Sequence, residues 1–171
     1  QPSATGDDAI AIGDSAVASG ANALAGPLSH ASGTGSFAAA NGQTTTSYGA
    51  KGDYSVALGW EARADTGTTG AVAIGYGADT RGTLGVSLGN NAYVTVGGTR
   101  AVAIGYQAET SAAQSFAAGD SPVIASSGTS AVALGTSYAN GTDSFAAAIA
   151  NNTSSYGATG ANSVAMGYQA K

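Results

Sequence analysis

A short apolar phrase of the form Ser/Ala-Val-Ala-Ile/Leu-Gly returns at near-constant spacing along the chain. The clearest copies occupy residues 55–59, 71–75, 101–105, 131–135 and 163–167. Weaker copies begin at Ala9, Ala23, Ser36, Gly85, Ser115 and Ser144. A repeat of this kind is typical of a solenoid, in which each copy forms one turn that stacks on the next.

The spacing between the copies predicts the length of each turn. The first strand residues of seven successive copies are Val56, Val72, Val86, Val102, Phe116, Val132 and Phe145, so longer and shorter steps alternate along most of this series. Residues 22–63 also align without a gap on residues 130–171. Each of these two segments contains one still longer step, from Phe37 to Val56 and from Phe145 to Val164. Because the irregular step occurs twice, we interpret it as a structural insertion.

Each phrase predicts a short β-strand that ends at its glycine. Val72 and Ile74 are two residues apart and share one face of the strand, which we expect to point into the core. Gly75 then allows the chain to turn sharply. A turn of about 14 to 16 residues has room for a second short strand, which we expect in the alanine-rich stretches between the phrases. Two short strands per turn predict an all-β fold, a flattened parallel roll rather than a three-sided prism.

The opposite face of the phrase strand is predicted to lie at a boundary between chains. The central residue of each phrase is small and apolar where a solvated strand would carry a polar residue; these residues are Ala57, Ala73, Ala103, Ala133 and Ala165. Two aliphatic side chains per turn contribute roughly 2 kcal/mol each, which does not offset the conformational entropy of ordering a whole turn. An isolated roll would be marginal, so we expect several chains to bury these alanines against one another.

The repeated phrase resembles the head repeat of the trimeric autotransporter adhesins. The resemblance rests on the sequence Asn162-Ser163-Val164-Ala165-Met166-Gly167, on its relatives that begin at Tyr54, Gly70, Arg100 and Ser130, and on the Gly-x-x-Ala element that follows. It covers roughly residues 8–170. It implies a YadA-like left-handed parallel β-roll in an intertwined parallel homotrimer, exposed on the outer membrane of a Gram-negative bacterium and used for attachment to the host.

Residues 1–171 are expected to form a single head domain. Neither a heptad stalk nor a membrane anchor is recognisable in the sequence, so we interpret the chain as a fragment of a longer surface protein. No apolar run approaches membrane-spanning length and no signal peptide is present, so we expect no direct membrane contact within these residues. Cysteine is absent, which is compatible with export through an oxidising periplasm.

The charge of the chain argues against several classes of partner. Charged residues make up only 9% of the chain, and the net charge is −5, which a trimer would triple. Nucleic acid, heparin and anionic membranes are therefore disfavoured as electrostatic partners.

No enzyme is predicted. His30 is the only histidine and aligns on Tyr138 of the second long repeat, so we expect a surface residue without a catalytic role. The alternative, a left-handed β-helix acyltransferase with an essential histidine, requires turns of about 18 residues, which the shorter steps of this chain do not match.

No metal or other cofactor is predicted either. Four aspartates follow glycines, as in calcium-binding nonapeptide rolls; they are Asp7, Asp14, Asp53 and Asp120. The tandem Gly-Gly-x-Gly-x-Asp run of those rolls does not occur, so these residues are interpreted as turn formers.

One set of residues is a candidate binding surface. An aromatic residue follows the strand-ending glycine in four copies: Trp60, Tyr76, Tyr106 and Tyr168. These residues are expected along one corner of the roll, interrupted by Asn90, Asp120 and Thr136. They could contact an extended ligand, or they could shield the ends of the core or the groove of the trimer.

Two functions remain open from the sequence. The first is an adhesin head that binds host extracellular matrix, with collagen, fibronectin and laminin as candidate partners. The second is a structural spacer or fibre segment that only projects another binding domain. The repeat specifies the rod, whereas the ligand would be selected by surface residues that the repeat does not constrain.

Overall fold

The computed structural model describes residues 1–40, 42, 47–150 and 153–171. Over these residues the regular structure is β throughout, with 21 strands of two or three residues and no helix. The strands form two parallel sheets, one of ten and one of eleven strands. Consecutive strands alternate between the sheets as far as the twentieth, so that each pair forms one turn of a solenoid of about ten turns. The predicted parallel roll with two strands per turn is confirmed.

The strands are numbered in chain order. Sheet A consists of β1 (Ser3–Ala4), β3 (Val17–Ala18), β5 (His30–Ala31), β7 (Gly49–Ala50), β9 (Arg63–Ala64), β11 (Asp79–Thr80), β13 (Tyr93–Val94), β15 (Glu109–Thr110), β17 (Val123–Ile124) and β19 (Tyr138–Ala139). Sheet B consists of β2 (Ile10–Ala11), β4 (Leu24–Ala25), β6 (Phe37–Ala39), β8 (Val56–Leu58), β10 (Val72–Ile74), β12 (Val86–Leu88), β14 (Val102–Ile104), β16 (Phe116–Ala118), β18 (Val132–Leu134), β20 (Phe145–Ala147) and β21 (Val164–Met166).

The register of sheet B follows the spacing of the repeat. The first residues of the phrase strands pair with one another from β8 to β20, so each step from one phrase to the next is one turn. Across the two longest steps, Phe37 pairs with Val56 and Phe145 pairs with Val164. The register of the ladder is therefore the same across both longest steps, parts of which, residues 41, 43–46, 151 and 152, lie outside the described residues.

The alternation between longer and shorter turns arises at one edge of the roll. There the chain passes from a strand of sheet A to the next strand of sheet B. The connection spans residues 81–85 after β11, but residues 95–101 after β13 and 125–131 after β17. Alternate turns therefore differ by two residues at this edge only, while both sheets keep a uniform ladder.

The inner and outer faces of the phrase strands are exchanged relative to the prediction. Ala57, Ala73, Ala103 and Ala133 are fully buried between the two sheets, and Ala165 is 2% exposed. The larger residues on either side of each alanine point away from the core. The predicted position of these five alanines at a boundary between chains is therefore wrong, because a single chain already encloses their side chains.

Space between the sheets explains this orientation. The core is made mainly of alanine, serine and threonine, which allows the two sheets to approach closely. The larger core residues Val94 and Ile124 are accommodated where a glycine lies beside them. A Cβ atom added to Gly98 would lie 2.6 Å from Val94 Cγ1, and one added to Gly128 would lie 2.7 Å from Ile124 Cγ2. A core of this thickness has no room for Val and Ile at every phrase, so these residues face outward.

Several buried hydroxyl groups in the core find acceptors on the backbone. Ser55 Oγ donates to the carbonyl of Gly52 at 2.6 Å, and Ser115 Oγ donates to the carbonyl of Ala112 at 2.7 Å. Ser87 Oγ donates to the carbonyl of Asp79 at 3.0 Å. These three serines therefore alternate with alanine in the core without the cost of an unpaired polar group, whereas the buried Oγ atoms of Ser36 and Ser144 have no partner among the described residues.

Candidate functional site

Sheet B presents a continuous apolar face to the outside. Two columns of outward side chains run along it in register, because the strands pair residue for residue. We call them the apolar face: Val56, Leu58, Val72, Ile74, Val86, Leu88, Val102, Ile104, Phe116, Ala118, Val132, Leu134, Phe145, Ala147, Val164 and Met166. Ile74, Ile104 and Phe116 are each 37% exposed in the single chain. A contiguous apolar surface of this extent marks a site of protein contact.

An aromatic row lies along the edge where the chain passes from sheet B to sheet A. Trp60, Tyr76 and Tyr106, which we call the aromatic row, are 48%, 53% and 52% exposed. Backbone hydrogen bonds align the row turn by turn, since the amides of Gly77 and Asn91 donate to the carbonyls of Trp60 and Tyr76 at 2.8 Å.

The aromatic row is interrupted at the levels that the spacing predicts, by Asn90, Asp120 and Thr136. The amide of Gln107 donates to the Asn90 carbonyl at 2.9 Å, and that of Ser121 donates to the Tyr106 carbonyl at 2.8 Å. Thr136 Oγ1 donates to the carbonyl of Asp120 at 3.0 Å. Tyr168 is 77% exposed and lies in the last turn, far along the roll from the other three aromatics. The predicted alignment is therefore observed, and ligand binding by these residues stays a prediction.

The outer side of sheet A is polar and carries a cluster of ion pairs. Arg63 on β9 pairs with Asp79 on β11 at 2.6 Å, and Arg81, just beyond β11, pairs with the same carboxylate at 2.9 Å. The Arg81 guanidinium also lies over the ring of Tyr93 on β13, 5.1 Å from its centroid. Lys51 pairs with Asp65 at 3.0 Å. Three of the five cations of the chain thus lie on neighbouring turns of one sheet.

These ion pairs shift the pKa values of Arg81 and Asp65. Hydrogen bonding to Asp79 raises the pKa of Arg81 above its ordinary value, despite partial burial. Partial burial of Asp65 acts to raise the pKa of its carboxyl group, but hydrogen bonds from Lys51 and from the Thr66 amide outweigh it and lower the pKa overall. Both residues therefore remain charged around neutral pH, and the cluster is kept ordered by its own partners.

This cluster is absent from the predictions made from the sequence, although the sequence contains a signal for it. Lys51 precedes Asp65 by the length of a shorter turn, and Arg63 precedes Asp79 by the length of a longer turn. Opposite charges separated by one turn meet on adjacent strands of a parallel ladder. The pairing could have been predicted from the period, but which side of the sheet it occupies could not.

His30 lies on the outer side of sheet A, at the first position of β5. Its repeat partner Tyr138 occupies the same position of β19. Burial, and secondarily the positive charge of Lys51, lower the pKa of His30 below its ordinary value of 6.5. Within the part of the chain that the structure describes, the buried Nδ1 atom has no hydrogen-bond partner. The imidazole is therefore mostly neutral at pH 7.

Replacing His30 by alanine is expected to leave the melting temperature at pH 8 and attachment near those of the wild type. The lowered pKa of His30 means that protonation of its imidazole destabilises the folded state. This cost is absent above pH 6.5, and the free energy of unfolding declines as the pH falls below that value. Thermal unfolding followed between pH 8 and pH 5 should therefore show a smaller loss of stability on acidification in His30→Ala than in the wild type. A large loss of attachment from this change alone would contradict a surface role without catalysis.

Neither a metal cluster nor a membrane-spanning helix is found in the described ranges. No three His, Asp or Glu side chains there are grouped so that they could hold a metal ion. No helix among those residues is sufficiently long and apolar to cross a bilayer.

Comparison with known families agrees with this description. The family model described as YadA head domain repeat (2 copies) matches residues 4–25, 50–78, 97–121 and 158–171, more than half of the chain. The chain belongs to the YadA head family. The resemblance to the head of a trimeric autotransporter adhesin is thereby confirmed. No curated protein sequence matches the chain.

Membership of the YadA head family bears on the type of function. The YadA head is an adhesin-type domain, exposed at the surface as part of a trimeric autotransporter, and it is not an enzyme family. The matched segments of this YadA head include Trp60, Tyr76, Tyr106 and Tyr168, whereas residues 79–96 lie between two of these segments.

Proposed function

We propose that this YadA head attaches a Gram-negative bacterium to host extracellular matrix or host cells as a left-handed, parallel homotrimer. The observation that carries the proposal is the difference between the two sheets. The outward side of sheet B is apolar along nearly the whole roll, whereas the outward side of sheet A carries ion pairs and other polar groups. Three copies that pack through the apolar face would leave sheet A and the aromatic row in contact with solvent.

The apolar face supports a parallel arrangement of the chains. Its two columns repeat every turn, so identical chains that run in the same direction bring equivalent side chains together at every level. Each buried aliphatic side chain contributes about 1.5 to 3 kcal/mol, and the contribution is repeated along the roll. A core made mainly of alanine stabilises a single chain only weakly. Association of the chains through the apolar face would supply the remaining stability, as expected for an obligate oligomer.

The aromatic row supports an adhesive role for the exposed side of the trimer. Tyrosine and tryptophan offer a large contact area at a small cost in side-chain entropy. Three chains would present three equivalent rows, so that individually weak contacts with a repetitive partner would add through multivalency. Collagen, fibronectin and laminin are the partners proposed for this surface.

Attachment through the row is expected to be distributed over its members. In a solid-phase assay of the trimer against collagens, fibronectin, laminin and epithelial cells, we expect saturable binding. Tyr106→Ser should weaken it only a few-fold, whereas the triple variant Trp60→Ser, Tyr76→Ser and Tyr106→Ser should weaken it by more than tenfold. The matched control is Tyr54→Ser, because Tyr54 is 67% exposed but lies on the opposite edge.

A second function has one observation in its favour. The uniform ladder of both sheets produces a stiff rod, which would suit a spacer that projects another domain. Absence of saturable binding to every matrix protein and cell type in the assay would favour the spacer. Binding that the triple variant retains in full would place the adhesive surface elsewhere on the head.

A further inference from the structure

Two adjoining cavities form a groove along the outer side of sheet A. The first, of about 290 Å³, is lined by Tyr48, Glu61, Arg63, Asp79, Arg81 and Asn91. The second, of about 380 Å³, is lined by Asn91, Tyr93, Gln107, Glu109, Ser121 and Val123. Asn91 borders both cavities, so the two lie side by side. We call the combined feature the sheet A groove.

The groove runs along the axis of the roll and across the strands. One wall is the column of first residues of the sheet A strands, which pair in register from Arg63 to Val123. The other wall is the column of corner residues from Glu61 to Ser121, aligned by the backbone bonds of the aromatic row. The groove spans five turns, and four steps of about 4.8 Å make it about 19 Å long. Its shape suits an extended polymer rather than a compact ligand.

Groups that form hydrogen bonds recur at every level of the groove. Carboxylates at Glu61 and Glu109 can accept hydrogen bonds, and the amides of Asn91 and Gln107 can both donate and accept. The guanidinium of Arg81 is held by Asp79 at 2.9 Å and by the ring of Tyr93, so these side chains are already ordered before a ligand arrives. Polar side chains beside an aromatic ring match a sugar, which carries hydroxyl groups around its rim and C–H groups on its face.

The position of the groove argues against an extended peptide. A peptide added to a sheet needs a free strand edge that supplies backbone donors and acceptors. Strands β9 to β17, which underlie the groove, are each paired on both sides. A peptide lying across the face of the sheet could not extend the ladder, so its amides and carbonyls would have to stay solvated or pair with side chains. A polysaccharide needs only the side chains that the groove presents.

The charge of the groove lining favours neutral polysaccharides over anionic ones. The lining contains two arginines and three carboxylates, and the chain as a whole carries a net charge of −5. Sulfated and carboxylated chains would therefore be repelled rather than attracted. A neutral chain avoids that penalty, and the advance per unit of an extended chain of pyranose sugars is close to the spacing between adjacent strands.

We propose that the sheet A groove binds a neutral linear polysaccharide, with successive sugar units lying against successive turns of the roll. The site differs from the surface proposed above for matrix proteins. It relies on the proposed function only in that trimer formation through sheet B leaves sheet A exposed.

The test is a binding array probed with the intact trimer. The array holds linear oligomers of β-1,4-glucose, α-1,4-glucose, β-1,4-mannose and β-1,4-N-acetylglucosamine, from disaccharide to octasaccharide, beside heparin and hyaluronan fragments of the same lengths. We expect binding to at least one neutral series, an affinity that rises with length until the groove is filled, and no binding to the two anionic series.

Two variants with matched controls locate the binding. Asn91→Ala is expected to weaken binding about tenfold. Its control is Asn22→Ala, because Asn22 has φ 57° and Asn91 has φ 54°, so both changes place alanine at a left-handed position. Tyr93→Ser is expected to weaken binding as strongly. Its control is Tyr138→Ser, because Tyr138 also begins a strand of sheet A but lines neither cavity.

The possible outcomes distinguish this proposal from the adhesive function. Failure to bind any neutral series, or binding that both groove variants leave unchanged, would overturn the proposal while attachment to matrix proteins stayed intact. Preferential binding of heparin or hyaluronan would overturn the argument from charge. Loss of collagen or fibronectin binding in Asn91→Ala and Tyr93→Ser, without any glycan binding, would assign the groove to a protein ligand instead.

Discussion

Replacing Ala103 by arginine is expected to destabilise the roll more than any other single change considered. Ala103 is the central residue of β14 and is fully buried between the sheets. The guanidinium group would have no acceptor in the core and no room beside the opposite sheet. Placing an unpaired charge there costs at least about 3 kcal/mol, and the cost recurs in every chain of an oligomer. Thermal unfolding followed by circular dichroism should show loss of the cooperative transition or a melting temperature lower by more than about 10 °C.

The matched control for this change is Gln114→Arg. Gln114 is exposed at the edge of the roll, and its backbone N–H donates a hydrogen bond to the carbonyl of Thr99 at 2.9 Å. The equivalent position of the preceding turn already holds an arginine, Arg100. The control should therefore melt close to the wild type. If Ala103→Arg also melted like the wild type, the alanine core described above would be incorrect.

The double change Val102→Asp and Ile104→Asp is expected to separate the proposed trimer. Both residues belong to the apolar face, on either side of the buried Ala103. In a trimer their side chains would be desolvated, so each aspartate would bury a charge without a partner at a cost of several kcal/mol. Sedimentation of the wild type should give three times the mass of one chain, and the variant should sediment as a monomer or fail to remain folded.

The matched control for the trimer is Val17→Asp. Val17 is the first residue of β3 and pairs with His30 on the outer side of sheet A, which we propose to be exposed in the trimer. This variant should still sediment as a trimer. A wild-type protein that is a stable monomer would overturn the proposed assembly, and so would loss of the trimer in the control but not in the double variant.

Several features of the fold could be predicted from the sequence because they depend on spacing alone. The near-constant steps between phrases predict the parallel pairing of the phrase strands, and the duplicated longest step predicts that Phe37 pairs with Val56. The alignment of Trp60 with Tyr76 follows from the same period. In a solenoid, residues that are one period apart must become neighbours.

The aromatic row and the ion pairs differ in how far the sequence could predict them. The row follows strand-ending glycines, so its place at a corner could be predicted. The contact between Arg63 and Asp79 follows from their separation of one turn. The contact of Arg81 with the ring of Tyr93 depends on how side chains tilt across neighbouring strands. The positions of the two adjoining cavities depend on the same tilt. No regularity of the sequence encodes those directions.

The chain by itself determines the period, the parallel ladder, the corners and the separation of Val102 from Ala103 onto opposite faces. The tertiary structure alone decides which of these faces is the inner one. Alternation with a period of two residues is satisfied equally well by either choice. The decision depends on the distance between the two sheets, which is small because alanine, serine and glycine fill the space between them. That distance keeps the valines and isoleucines outside, where they form the apolar face.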